Sequence, residues 1–267
     1  MGSADIDRWI REQHGAGHSR NQLLHQLITY GWSAPVAEKA LAAVLGEPGP
    51  AVPQQREVEI EGHRVEVLVN LQQPRFAYLR GLLTREECEA LIEAARPRLV
   101  PSAVVDSETG GNVPHAARVS DGMAFEVGEL PLLDRIEWRI QGLVSWPMGH
   151  GEAIQVLRYR PGGRYDPHFD YFDPKVPGSS RPLAQAGNRV GTLIMVLQAP
   201  ETGGETVFPD AGLTVHGRQG DGILFTYGRP DPSTKSLHGG SPVVRGEKWI
   251  ATKWFRESEY SVARPPP

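Results

Sequence analysis

The chain is poor in three things. It has one cysteine, Cys88, among 267 residues, so no disulfide can form within it. Cys88 falls in the amphipathic run Thr84-Arg85-Glu86-Glu87-Cys88-Glu89-Ala90-Leu91-Ile92, where a buried structural thiol is expected. No apolar run approaches the roughly 20 residues of a membrane span, and the N-terminus lacks a signal-peptide layout. A soluble cytoplasmic protein is the expectation. The formal net charge is only −4, which implies no general affinity for nucleic acid or for an anionic membrane. Turn-forming residues, by contrast, are plentiful: 30 Gly and 23 Pro suit a strand-rich fold with many turns.

The first 46 residues read as short helices. Ile6, Trp9 and Ile10 share one helical face. Ser19 can cap a second helix carrying Leu23, Leu24, Leu27 and Ile28, ended by Gly31. Ser33 caps a third, with Pro35 near its first turn. Residues 47–57, rich in Pro and Gly, read as a linker, and 58–258 as the main domain. The Pro-rich tail, 259–267, is expected to be disordered. Glu57 to Asn70 suggests a hairpin turning at Glu61-Gly62-His63, Arg75–Tyr78 a strand, and Thr84 the cap of a helix through Ala95. Val100 to Asp106 reads as a strand leading into a polar turn, and Leu130 to Leu143 as a second helix. Strands then follow at Ala153–Tyr159, Gly191–Leu197, Leu213–Val215, Gly222–Phe225 and Trp249–Phe255. The order, helices first and many short strands later, argues for an α+β, mainly β fold. Its centre would be an antiparallel double-sheet barrel of jelly-roll type (a double-stranded β-helix) with flanking helices.

The chemistry concentrates between Tyr165 and Lys248. His168 and Asp170 stand two apart, so on an extended segment both side chains point the same way. With His238 they make two imidazoles and one carboxylate, the ligand set that leaves open positions on Fe(II). His-x-Asp alone says little, and His14, His18, His25, His63, His115, His150 and His216 have no comparable setting. Lys248 adds weight. It shares parity with Ile250, Thr252 and Trp254 on the last strand, and if that face is inward its ammonium needs an anion. The far carboxylate of 2-oxoglutarate would serve, with Tyr159 and Thr206 as further hydroxyl donors. Asp221, in Gly220-Asp221-Gly222, reads as a turn residue. On composition alone Arg118, Ser120 and Arg189 are surface or framework residues.

Several ordered stretches together resemble one family. They are Val104-Val105-Asp106 with Thr109-Gly110, Arg118-Val119-Ser120-Asp121-Gly122, Tyr159 through Phe172, Asn188-Arg189-Val190, Gly203 through Pro209, Gly220-Asp221, and Ser236 through Trp254. Over about Arg75 to Arg256 the chain resembles the prolyl 4-hydroxylase-like iron(II)/2-oxoglutarate dioxygenases. The resemblance implies that His168, Asp170 and His238 are catalytic iron ligands, and that Lys248, Tyr159 and Thr206 hold 2-oxoglutarate. It places Tyr165, Arg189 and Trp254 along a peptide groove, and Arg118 and Ser120 on a mobile loop that closes over substrate. The implied cofactors are Fe(II), 2-oxoglutarate and O2, with room for ascorbate. The implied reaction hydroxylates an unactivated C–H, first of all a prolyl residue in a peptide or protein, and releases succinate and CO2. A free amino acid or other small molecule stands as the alternative substrate, and a non-catalytic binding or sensing module as the alternative role. Residues 1–46 lie outside the resemblance, and oligomeric state stays open.

Overall fold

A computed structural model of the chain describes residues 3–16, 18, 20–45, 49–105, 112–114 and 117–260. The chain divides into two compact units, Met1–Pro48 and Gly49–Pro267.

In the first unit, helices α1 (Ser3–Gly15), α2 (Arg20–Thr29) and α3 (Ala34–Leu45) enclose Ile6, Ile10, Leu23, Leu27, Ala37 and Leu41. The apolar spacing explains this, since residues three or four apart share a helix face. The backbone carbonyl of Ser33 accepts from the amides of Val36 and Ala37 at the start of α3. Ser19 lies outside the described residues.

The second unit has three layers. Helices α4 (Arg85–Ala95) and α5 (Pro131–Val144) cover one face of a nine-stranded antiparallel sheet, and a five-stranded antiparallel sheet faces the other. Along the large sheet the strands run Glu57–Ile60, His63–Gln72, Arg75–Arg80, Gly222–Thr226, Arg189–Gln198, Lys248–Arg256, Gln155–Tyr159, Asp121–Ala124 and Val100–Pro101. The small sheet runs Leu213–Val215, Thr206–Phe208, His238–Gly240, Arg164–His168 and Arg118–Val119. Alternation along each central strand sorts side chains between layers. Leu193, Met195, Leu197, Trp249, Ala251 and Phe255 join the helix-side core, while Ile194, Ile250, Leu157, Ile223 and Phe225 join the core between the sheets. No helix among the described residues is long and apolar enough to cross a membrane.

Local chemistry accounts for the element ends. Thr84 caps α4 through a reciprocal box with Glu87, and Glu87 also binds Arg139 of α5 at 2.7 Å, so one carboxylate caps one helix and ties it to the next. Glu61 and Gly62 both take positive φ, 51° and 78°, as a two-residue hairpin turn requires. Cys88 is fully buried against the carbonyl of Val196, and burial pushes its thiol up to about 12.

Three expectations need adjustment, and one helix was not foreseen. The stretch 47–57 is not a free linker in its second half. Val52 is buried, the Ala51 amide donates to the Val144 carbonyl at 2.7 Å, and the Pro53 carbonyl accepts from Asn70 at 2.6 Å. Apolar Val52 simply finds the main core. Val100 to Asp106 splits. Val100–Pro101 edges the large sheet, while Ala103–Val105 pairs with Asn112–Pro114 in a separate ribbon. Helix α6 (Ser180–Ala186) went unforeseen because its seven residues are too few to show a period. Asp221 is more than a turn residue: it is 3% exposed and accepts the Tyr78 hydroxyl. Asp106, the polar turn from 107 to 111 and tail residues 261–267 lie outside the described residues, while Asn112 begins a strand.

Candidate active site

His168 ends one short strand and His238 begins another, and the two residues are register partners across the small sheet. Gly239 permits the approach. A Cβ there would meet the Tyr165 carbonyl at 2.8 Å and Pro167 at 3.1 Å. Asp170 follows two residues after His168, as the spacing requires. The ligand atoms of His168, Asp170 and His238 all lie within 4.8 Å of one another.

The histidine tautomers follow from their partners. His168 Nδ1 lies 2.9 Å from the Asp166 carbonyl, and His238 Nδ1 lies 3.0 Å from the Ser236 carbonyl. A carbonyl only accepts, so each Nδ1 carries the proton and each Nε2 presents a lone pair. Those Nε2 atoms face the carboxylate, His168 at 3.5 Å from Oδ1 and His238 at 3.5 Å from Oδ2. Burial pushes His238 down to about 4, so the ring is neutral as a ligand must be. Burial alone would raise the Asp170 carboxyl, but His238, His168 and Arg189 hold it well below the usual carboxylate range. Two neutral imidazoles and one ionised carboxylate suit a divalent ion such as Fe(II).

Lys248, Ile250, Thr252 and Trp254 do face inward, and all four line the same cavity as the triad, with Tyr159, Tyr165, Thr206 and Arg118. Lys248 is 7% exposed. Its Nζ lies 3.4 Å from Thr206 Oγ1 and 5.8 Å from the Tyr159 ring, and among the described residues no carboxylate lies within ion-pairing distance. Burial lowers its ammonium to about 8, with Glu205 opposing from a distance. A buried cation that lacks a carboxylate of its own fits an anionic co-substrate. Tyr159 pairs in register with Lys248, yet Arg118 and Ser120 also engage its hydroxyl.

The expected groove residues divide. Tyr165 stacks on His168 at 3.6 Å between ring centroids, and Trp254 lines the cavity. Arg189 is already engaged. Its Nε and Nη2 bind both oxygens of buried Glu152 at 2.7 and 2.8 Å, and its guanidinium stacks 4.0 Å from the Trp254 ring. Without this pairing Glu152 would be a poorly paired buried charge. Arg118 belongs to a strand, paired with Tyr165, and lies over the Tyr165 ring at 4.9 Å. Ser120 donates to Ser102 at 2.8 Å. Arg118 therefore sits on a strand, and Ser120 is the single residue between that strand and the next, Asp121–Ala124.

Sequence reasoning passed over Thr192, Tyr227 and Glu152. Thr192 had a usable signal, a hydroxyl inside an otherwise apolar central strand. Glu152 had none, since its partners Arg189 and Arg256 are far away in sequence. Asn188 also has a role here: its amide exchanges two 2.8 Å hydrogen bonds with the Phe172 backbone and so fixes the segment after Asp170.

Comparison with known proteins matches residues 154–256 to the model of the 2OG-Fe(II) oxygenase superfamily. Probable prolyl 4-hydroxylase 3 of Arabidopsis thaliana is 40% identical over 211 residues, covering 71% of this chain and 72% of that protein. Prolyl 4-hydroxylase 1 of the same plant is 41% identical over 207 residues, covering 70% and 71%. Among solved structures, the viral collagen prolyl hydroxylase of Paramecium Bursaria Chlorella virus-1, in its 2OG complex, aligns with TM-score 0.51 and 30% identity, over 68% of this chain and 95% of that one.

Proposed function

This chain belongs to the prolyl 4-hydroxylase-like 2OG-Fe(II) oxygenases, and from that membership we propose that it hydroxylates prolyl residues of a peptide or protein. The observation that carries the reading is the cavity in which His168, Asp170 and His238 converge opposite the buried, carboxylate-free Lys248. Fe(II), with 2-oxoglutarate and O2 as co-substrates, supplies the oxidising chemistry that places one oxygen atom on an unactivated C–H and the other in succinate, with release of CO2.

The protein's own groups do the rest. His168, Asp170 and His238 hold the metal and leave positions open beside it. Lys248 takes the far carboxylate of 2-oxoglutarate, with Thr206 and Tyr159 beside the same end. Trp254 and Tyr165 present aromatic faces on which a prolyl ring can pack. Arg189 keeps the Trp254 face in place. Ascorbate fits this reading as the reductant that keeps iron in its ferrous state. We read the two facing sheets as the double-stranded β-helix, or jelly roll, whose mouth holds the site.

The test is succinate formation with 2-oxoglutarate, Fe(II) and proline-containing peptides, coupled to mass spectrometry of the peptide. The expected result is succinate release that rises with peptide, a gain of one oxygen on proline, and loss of both in His168→Ala, Asp170→Ala and His238→Ala. Succinate formation that no prolyl peptide stimulates, but a free amino acid does, would overturn the peptide reading. Full activity in any of the three variants would overturn the site.

A further inference from the structure

Asp170 has a neighbour that is neither a candidate ligand nor part of the cavity's aromatic wall. Thr192 Oγ1 lies 2.7 Å from Asp170 Oδ2 and 2.7 Å from the Tyr227 hydroxyl. All three groups are buried: Thr192 and Tyr227 are each 1% exposed and Asp170 is 7%. Proton counting fixes the direction. The ionised carboxylate can only accept, so Thr192 donates to it. Thr192 has one hydroxyl proton, so towards Tyr227 its oxygen can only accept, and Tyr227 must donate. The chain runs from Tyr227 to Thr192 to Asp170 Oδ2.

Satisfying a buried phenol would need any acceptor. This relay instead ends on one oxygen of a carboxylate whose two oxygens each face a histidine, Oδ1 towards His168 and Oδ2 towards His238. Without it the carboxylate could rotate about its own axis or offer both oxygens to a metal. The strands make the relay rigid. Thr192 stands on the central strand between two sheet neighbours, and the Tyr227 amide donates to the Val190 carbonyl at 3.0 Å on that same strand.

We propose that Tyr227, acting through Thr192, is a positioning residue for the metal carboxylate: the relay occupies Oδ2, holds the plane of the group and leaves Oδ1 to the metal. This rests on the reading of His168, Asp170 and His238 as iron ligands and adds a buried element to it. The consequence is a coordination sphere with one position fewer taken by the protein, and so more room for a two-pronged co-substrate.

The experiment is Co(II) titration of the full-length, metal-free protein, followed by the visible absorption of the bound ion, with thermal melting of each metal-free variant alongside. Tyr227→Phe keeps the ring and removes only the donor. It should weaken Co(II) binding about 10-fold, Thr192→Val by about 10–100-fold, and Thr192→Ser, which keeps the hydroxyl, much less than either. The double variant Thr192→Val/Tyr227→Phe should bind no worse than Thr192→Val, since Tyr227 acts only through Thr192. Wild-type affinity in folded Tyr227→Phe, or additive losses in the double variant, would overturn the relay. Should Tyr227→Phe not fold, equal affinities in Thr192→Ser and Thr192→Val would overturn it instead. Wild-type protein that binds no Co(II) would overturn the iron reading beneath it, an outcome separate from the others.

Discussion

Lys248 and Lys253 lie on one strand, on opposite faces, both buried at 7% and 2% exposure, and only Lys253 has a carboxylate, Glu137 at 2.6 Å. The same residue type therefore faces opposite fates on substitution. Lys253→Ala should destabilise the protein by about 3–5 kcal/mol, because Glu137 is left buried without its partner. Lys248→Met should leave the stability of the co-substrate-free protein unchanged or raise it, yet raise the KM for 2-oxoglutarate on the order of 30-fold or more, the loss of a buried charge pair being about 2 kcal/mol at least. Chemical denaturation and steady-state succinate assays separate the two. A stability loss in Lys248→Met equal to that in Lys253→Ala would remove the contrast.

The same ammonium predicts a pH dependence. Burial depresses Lys248 from 10.5 to about 8 in the folded protein without co-substrate. Between those values the unfolded chain binds the proton and the folded one does not, so this group's contribution to stability rises with pH across that window. Below about 8 the penalty of a buried cation is present in full. Affinity for 2-oxoglutarate runs the other way, since the anion needs the charged lysine. The apparent KM should climb as pH rises above about 8, and the climb should vanish in Lys248→Met. A parallel climb in the variant would assign it to another group.

Arg189→Ala removes two charged hydrogen bonds to Glu152 and the support beneath Trp254. Arg256 still contacts Glu152 at 2.9 Å, so the loss is partial, about 1.5–3 kcal/mol for each charged bond. Both stability and coupled hydroxylation should fall, and Arg189→Ala/Glu152→Gln should recover part of the stability. Denaturation curves and the ratio of hydroxylated peptide to succinate check this. Unchanged stability in the single variant would refute the support that Arg189 gives Glu152.

Truncation should be sensitive to a few residues. A chain that starts at Gly49 retains Ala51, Val52 and Pro53 and should melt as the second unit does in the whole protein. One that starts at Gln55 loses the buried Val52 and two hydrogen bonds, one from the Ala51 amide to the Val144 carbonyl and one from the Asn70 side chain to the Pro53 carbonyl, about 3 kcal/mol by valine burial and hydrogen bonding together. Equal melting temperatures for the two truncations would show that 49–53 only lies on the surface.

What could be read beforehand was what depends on near neighbours in sequence. The Thr84 cap, the Glu61-Gly62 turn, the stripe of α5 and the inward parity of Lys248 all rest on residues a few positions apart, where local geometry decides. His168 and Asp170 were legible for the same reason. Glu152 was not, because its meaning lies in Arg189 and Arg256 meeting it in space. The binding of Arg189 by Glu152 was hidden for the same reason. Val52 misled because the Pro and Gly around it signal a linker, while its burial depends on tertiary packing.

The cross-strand pairing of His168 with His238 makes the metal a fastener as well as a reagent. The two residues are far apart in the chain and meet only when their short strands close on each other. An ion gripped by both is bound by the folded state alone, so every gain in its affinity appears as resistance of the small sheet to opening. Iron binding would thereby raise the stability of the folded enzyme as well as permit its turnover.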